Sequence, residues 1–415
     1  MLSKYGIKKP DILLPADGTD MSKWAVVACD QFTAQPEYWE RVTDTVGDAP
    51  STLNLICPEV WLDRSSEILP KVNACMGRYL DTVLTKSVNG FVLVERTIKT
   101  GKRLGLMACI DLEEYSFEVG SKSLIRPTEK TIVERIPARV AIRKDAPVEL
   151  PHVLLLVDDP EQTLIEGIYA EKENLEKLYD FELMENGGHL RGWLLDNDAA
   201  ISRLVEEPLE KLYNKADGML FAVGDGNHSI ASARQHWLNV KATLSEEEQK
   251  THPARWALVE IENLHDPSLK FEPIHRVLYG SDCCKLVMEM LGWLEVHDMA
   301  LRHCRGDEPM ITLLEDNIRY PMTIDNMGDE LPLYIIQQFL DEYVKSNEGV
   351  TIDYVHGEDA IKACAAKGDL ACMMSVLDKH LLFDSVRKKG TLPRKAFSMG
   401  EAEEKRYYCE CRKIK

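Results

Sequence analysis

The densest group of chemically able side chains is Gly224-Asp225-Gly226-Asn227-His228, set between an apolar run at residues 218–223 and a helical pattern at residues 229–238. A strand that hands over to a helix through glycines leaves free backbone N–H groups and the positive end of the helix dipole facing one point. An anion fits such a point. Gly224 and Gly226 permit close backbone approach, Asp225 can hold a divalent cation or accept a hydroxyl proton, and His228 can donate to a phosphoryl oxygen. The same residue types also make good turns and caps, so the motif reads equally as a tight connection. A second group, Arg126-Pro127-Thr128-Glu129-Lys130-Thr131 with Arg135 and Arg139, concentrates positive charge in an otherwise acidic chain. Arg clamps phosphate or carboxylate bidentately and Lys acts as a point charge, while Glu129 and Glu134 offer local salt-bridge partners. His275-Arg276 follows an Asp-Pro turn, and Asp30 stands at the end of the first apolar run, where an acid can act as a general base.

The rest of the sequence bounds what these groups can serve. The 415 residues carry 50 Lys and Arg against 69 Asp and Glu, a net charge of -19, and 45% are apolar. Such a surface repels nucleic acid and anionic lipid. Only the tail from Asp384 onward is basic, and a small anion fits there. No apolar run reaches the roughly 18–20 residues that span a bilayer, and no signal segment opens the chain, so a cytoplasmic location is expected. Eleven cysteines without regular spacing or a CxxC pair read as free thiols, with Cys409 and Cys411, close to Lys405, Arg406, Arg412 and Lys413, expected to be the most thiolate-like. Sequence signatures of Rossmann, P-loop, serine-hydrolase and zincin sites are missing.

The positioning elements read as a mixed α and β pattern without internal repeats. Strands are expected over residues 24–29, 91–97, 103–111, 152–158, 190–195, 218–223 and 256–262, with helices over 36–46, 65–86 interrupted at Pro70, 161–178, 197–213 and 229–238. Three regions are expected, 1–150, 151–280 and 281–415, which together can form one compact unit.

Three motifs in order, Pro127-Thr128-Glu129-Lys130-Thr131 with Arg139, Gly224 to His228 opening a helix, and Ile274-His275-Arg276, resemble the bacterial and archaeal family catalogued as domain of unknown function 1015. Pro393-Arg394-Lys395 resembles that family's late Pro-x-Lys. The family's Asp-Gly-His-His-Arg turn is in turn similar to the nucleotide-binding turn of the ParB and sulfiredoxin superfamily, which contains ADP-dependent free-serine kinases. The resemblance implies an α+β fold, with a mixed sheet, flanking helices and a ParB/sulfiredoxin-like nucleotide-binding core. It also implies phosphoryl transfer from ADP or ATP with Mg²⁺ to a small hydroxylated metabolite such as a free amino acid. The catalytic set is then Asp30, Glu129, Asp225 and His228, with Asp225 on the metal. Arg126, Lys130, Thr131, Arg139, Gly224, Gly226, Asn227, His275 and Arg276 would hold substrate or phosphate, Arg139 and His228 lining one cleft. The sequence departs from the family pattern at Asn227, at Thr128, and at Ser229-Ile230-Ala231, which replace Arg-Tyr-Glu. A non-catalytic nucleotide or anion sensor is therefore the alternative.

Overall fold

The computed structural model describes residues 2–118, 120–306, 308–316 and 318–415. They form two compact units. The first comprises residues 1–270, 386–390 and 400–415; the second, 271–385 and 391–399.

The first unit is built on a nine-stranded mixed sheet. Its strands are β1 (Ile7–Lys8), β2 (Phe91–Ile98), β3 (Gly101–Asp111), β4 (Ile125–Pro127), β5 (Leu154–Val157), β6 (Glu176–Glu182), β7 (His189–Leu195), β8 (Phe221–Asp225) and β9 (Trp256–Asn263). They run in the order β6-β7-β2-β3-β9-β5-β8-β4, with β1 added to β3. Both faces are covered. Along β2, Val92 and Val94 enter one core and Phe91 and Leu93 the other, as the two-residue strand period requires. The first core also takes α1 (Pro36–Val46) and α2 (Ser65–Thr82) through Trp39, Val42, Val72 and Met76. The second takes buried residues of α4 (Asn227–Lys241), including Ile230 and Trp237. A shorter helix, α3 (Ile136–Lys144), precedes β5.

Several expected elements differ. Only Val26–Val27 of residues 24–29 is strand, because Asp20 accepts the Ser22 N–H and caps a helical turn over Met21–Trp24. Helix α2 passes through Pro70 and ends at Thr82. The helical reading of 161–178 gives way to a short helix, Ile165–Ala170, and then β6, which pairs with β7 in a hairpin through Glu176–Lys177 and Tyr179–Glu182, with a register shift at Leu178. Pairing across a sheet outweighs local helical periodicity there. The basic tail turns inward: Tyr407–Tyr408 pairs with Val26–Val27, and Arg412–Lys413 with Val148–Glu149. Its positive charge meets internal acids, Arg406 on Glu260 at 2.8 Å and Arg412 on Glu149 at 2.6 Å. Cys409 and Cys411 are fully buried, and burial pushes both thiols up, away from thiolate. All eleven cysteines are free.

The second unit has a seven-stranded sheet, with strand β10 (Phe271–Tyr279) between Leu370–Met374 and Thr351–His356. Among the described residues no helix is long and apolar enough to cross a membrane.

Candidate functional site

Strand β8 lies between β5, antiparallel, and β4, parallel, and its pairing with β5 is irregular at Gly224, between Val223 and Asp225. Gly226 then turns the chain with φ +81°, and a Cβ there would stand 3.0 Å from Val153 Cα. Both the left-handed backbone and the close approach call for glycine. Helix α4 starts at the next residue, Asn227.

The second motif is fastened alongside. Thr128 Oγ1 donates to Val223 O at 2.6 Å, and the Ile132 N–H donates to His228 Nε2 at 3.3 Å. Two segments about a hundred positions apart thus meet at one turn, with Glu129 half-buried, Lys130 exposed and Thr131 buried. Arg126 faces elsewhere: its guanidinium donates to Ser123 O at 3.0 Å and Gly218 O at 3.1 Å, tying down backbone carbonyls. Asn227 opens α4 with its Oδ1 buried.

Asp225 accepts the Gly226 N–H at 2.8 Å and lies 3.2 Å from Lys405 Nζ. Burial presses its carboxyl upward, but the Lys405 ammonium and the Gly226 N–H outweigh this and hold it below the usual carboxylate range. Its charge is already answered. Among the described residues no three His, Cys, Asp or Glu side chains gather as metal ligands. A cation at Asp225 would have to displace the Lys405 ammonium.

Beside this turn is an open cleft with a cavity volume of about 160 Å³. Asp30, Arg139, Arg143, His152 and Ser229 line it, with Ile142, Leu150 and Ile230 among the apolar walls. Arg139 and the first turn of α4 do share one cleft, but Ser229, not His228, is the lining residue. Arg139 is ion-paired with Glu59, and Arg143 with Glu149. Asp30 accepts from Gln31 Nε2 at 3.0 Å.

Sequence reasoning missed His152 and Tyr408. Ser229 Oγ lies 2.6 Å from His152 Nε2, and His152 Nδ1 lies 2.8 Å from the Tyr408 hydroxyl. Tyr408 comes from the tail, 256 positions from His152, so no local spacing could have paired them.

His275 and Arg276 sit on β10 of the second unit. His275 is buried, its Nδ1 accepts the Met374 N–H at 3.1 Å, and burial lowers its imidazole to about 4. Arg276 is fully buried, donates to Gln337 Oε1 at 3.0 Å and stacks on Tyr354. Within their own unit both residues join β10 to its neighbours.

Residues 13–322 match the sequence family described as "Protein of unknown function (DUF1015)". No curated protein matches the chain. Among solved structures, a free serine kinase in complex with AMP shares 11% identity, covers 74% of this chain and 92% of its own, and superposes with a TM-score of 0.40. A conserved hypothetical protein from Pyrococcus furiosus, also 11% identical, covers 73% and 90% with a TM-score of 0.36. SbnI from Staphylococcus aureus, truncated at its C-terminus, is 13% identical over 68% and 82%, with a TM-score of 0.35. Likenesses this loose transfer neither a site nor an activity.

Proposed function

Since the chain belongs to the DUF1015 family of proteins of unknown function, we propose that it is a phosphotransferase, moving a phosphoryl group from ADP or ATP to a small hydroxylated metabolite such as a free amino acid. The observation that carries this reading is the cleft of the first unit, where two arginines, a carboxylate and the first turn of a fifteen-residue helix converge. Phosphoryl transfer asks mainly for positioning and charge neutralisation, and these groups supply both. The N-terminal turn of α4 and Arg139 would hold the phosphates, with Arg139 exchanging Glu59 for the ligand. The apolar walls at Ile142, Leu150 and Ile230 suit a base. Asp30 would take the proton of the acceptor hydroxyl. A bound nucleotide supplies the transferable phosphoryl group, and no step here runs through a protein-held metal. His228, which accepts the Ile132 N–H, would hold the turn in place, with Glu129, Lys130 and Thr131 on the segment beside it.

Thermal denaturation with ADP, ATP and Mg²⁺, followed by ³¹P NMR with free serine and related hydroxy amino acids, tests the reading. A ligand at a hundred times its Kd stabilises the folded state by about 2.7 kcal/mol, so the melting temperature rises and a phosphorylated product accumulates. Absence of any nucleotide shift at millimolar concentration sinks it. A shift without product favours the second reading, a nucleotide or anion sensor. That alternative is supported by the pairing of both cleft arginines with Glu59 and Glu149.

A further inference from the structure

One hydrogen-bonded chain in the cleft has no part in the reaction outlined above. Ser229, third residue of α4, meets His152 Nε2 at 2.6 Å, and the opposite ring nitrogen meets the Tyr408 hydroxyl at 2.8 Å. The imidazole and phenol rings pack edge to face, their planes 84° apart. The Tyr408 hydroxyl also accepts the Cys29 main-chain N–H at 3.2 Å and lies 3.1 Å from Cys29 Sγ. Burial pushes the Cys29 thiol up to about 12 and the Tyr408 phenol well above its ordinary value, so both stay neutral. These four side chains come from four separate segments and are held by no common turn. Ser229, His152 and Cys29 all line the cleft. In the tautomer whose Nδ1–H donates to Tyr408, the Nε2 lone pair faces the Ser229 hydroxyl. That is the arrangement of a nucleophile, its base and the group that orients the base.

We propose that Ser229 is a catalytic nucleophile that carries the phosphoryl group between nucleotide and acceptor, with His152 as its general base and Tyr408 as a positioning residue. This deepens the phosphotransferase reading and rests on it. In the first half-reaction the Ser229 Oγ–P bond forms while the bond from the terminal phosphorus to its bridging oxygen breaks. The shortened nucleotide leaves with that electron pair, and the serine proton passes to His152 Nε2. In the second, the acceptor oxygen attacks the phosphorus and its proton goes to Asp30, while Ser229 Oγ leaves and recovers its proton from His152. A phosphoserine here is well placed. It sits in the first turn of a helix, where a dianion meets the positive dipole end, and Arg139 and Arg143 line the same space.

The test incubates the full chain with terminally ³²P-labelled ATP or ADP and Mg²⁺, without acceptor, and locates the label by tandem mass spectrometry. The expected result is phosphoserine at Ser229, discharged on adding the acceptor and absent from Ser229→Ala. His152→Gln should slow labelling by about 10²- to 10⁴-fold. Tyr408→Phe should move the midpoint of the pH–rate profile, which a purely structural role would leave in place. A nucleotide-independent arm uses a fluorophosphonate: Ser229 Oγ–P forms, P–F breaks, fluoride leaves and His152 takes the proton. Labelling of wild-type Ser229 is expected, and this measurement needs no variant to fold. Turnover that persists in Ser229→Ala with no label on wild-type Ser229 overturns the proposal and leaves the phosphotransferase reading standing. Fluorophosphonate labelling without nucleotide binding or transfer overturns both the phosphoserine step and that reading, and keeps only an activated serine. No labelling by either reagent also overturns the proposal.

Discussion

Replacing Arg412 by Met tests whether the tail is an integral part of the first unit. Arg412 is 4% exposed; its Nε donates to Glu149 Oε1 at 2.6 Å, and its terminal nitrogen donates to Pro253 O at 3.1 Å and to Trp256 O. Methionine fills much of the same volume but removes the charge and every donor. One charge-assisted hydrogen bond is lost, worth about 1.5–3 kcal/mol, and two backbone acceptors lose a partner at about 1 kcal/mol or less each. Glu149 retains Arg143 and the Leu258 N–H at 2.9 Å, so the total should fall near the lower end of the 3–5 kcal/mol typical of a broken buried ion pair, about 3 kcal/mol. Urea unfolding at pH 7, followed by tryptophan fluorescence, measures it, since all tryptophans but Trp293 lie in the first unit. Adding Glu149→Gln should give a double variant less destabilised than the sum of the two single changes, because no buried carboxylate then waits for a partner. The pH dependence has a definite sign. Burial presses the Glu149 carboxyl upward, but Arg143 and Arg412 outweigh it and hold it below its ordinary value. A carboxylate depressed in the folded state stabilises above its unfolded pKa, about 4.3, and that stability is lost as pH falls through the lower folded value. The gap between wild type and variant should therefore narrow below about pH 4. A loss under about 1 kcal/mol at pH 7, or strict additivity in the double variant, refutes the reasoning.

Asp225→Asn should lower the melting temperature, because Lys405, itself only 10% exposed, loses its carboxylate; about 1–2 kcal/mol is expected, and an unchanged melting curve would show that the pair contributes nothing. The imidazoles of His236 and His275 are both pushed down to about 4 by burial and should keep neutral NMR shifts when the protein is taken from pH 8 to 5.5. Each binds a proton unfolded before it does so folded, so each lends stability above about pH 6.5 that fades on acidification toward 4; a normal titration in the native spectrum contradicts this. With a thiol-specific reagent under native conditions, the exposed Cys284 should react first, while Cys109, Cys409 and Cys411 react only on unfolding. Rapid native labelling of Cys409 or Cys411 would mean that the tail detaches readily.

Where local chemistry decides an element, the sequence was readable. Helix α1 has the expected limits, Pro36 to Val46, because proline sits at its first turn and Gly47 follows it with φ +55°. The Gly224 to His228 turn was legible for the same reason: Gly226 answers a backbone requirement visible in a few residues. What local pattern could not supply was pairing over distance. The stretch 161–178 has helical spacing, yet its last residues belong to a hairpin whose partner begins at His189. The site shows the same limit. Asp30 and Arg139 stood out by residue type and do line the cleft. Arg126 stood out equally and instead binds Ser123 and Gly218 carbonyls. Ser229 was visible only as a departure from a family pattern, since its meaning depends on His152 and Tyr408. The tail's positive charge suggested an anion site until Glu149, Glu260 and Asp225 proved to be waiting for it.

The return of the tail has a consequence for synthesis. The chain leaves the first unit at Lys270, returns to it briefly over Val386–Gly390 and finally re-enters it at Gly400, whose N–H donates to Lys270 O at 3.2 Å. Residues from 400 onward then provide the partners of Leu13, Trp24, Val26–Val27 and Val148–Glu149. A ribosome adding roughly 5–20 residues per second needs on the order of 7–30 s to make residues 271–415. Throughout that interval the first 270 residues hold Trp24 and Glu149 without the groups that complete them. Nascent chains arrested before Gly400 should accordingly be protease-sensitive in the 11–27 and 148–149 segments, and become resistant once Arg412 has cleared the exit tunnel. Translation thus sets a minimum time for completing this unit, and a synonymous change that alters elongation speed between codons 271 and 400 would lengthen or shorten the exposure without touching one side chain.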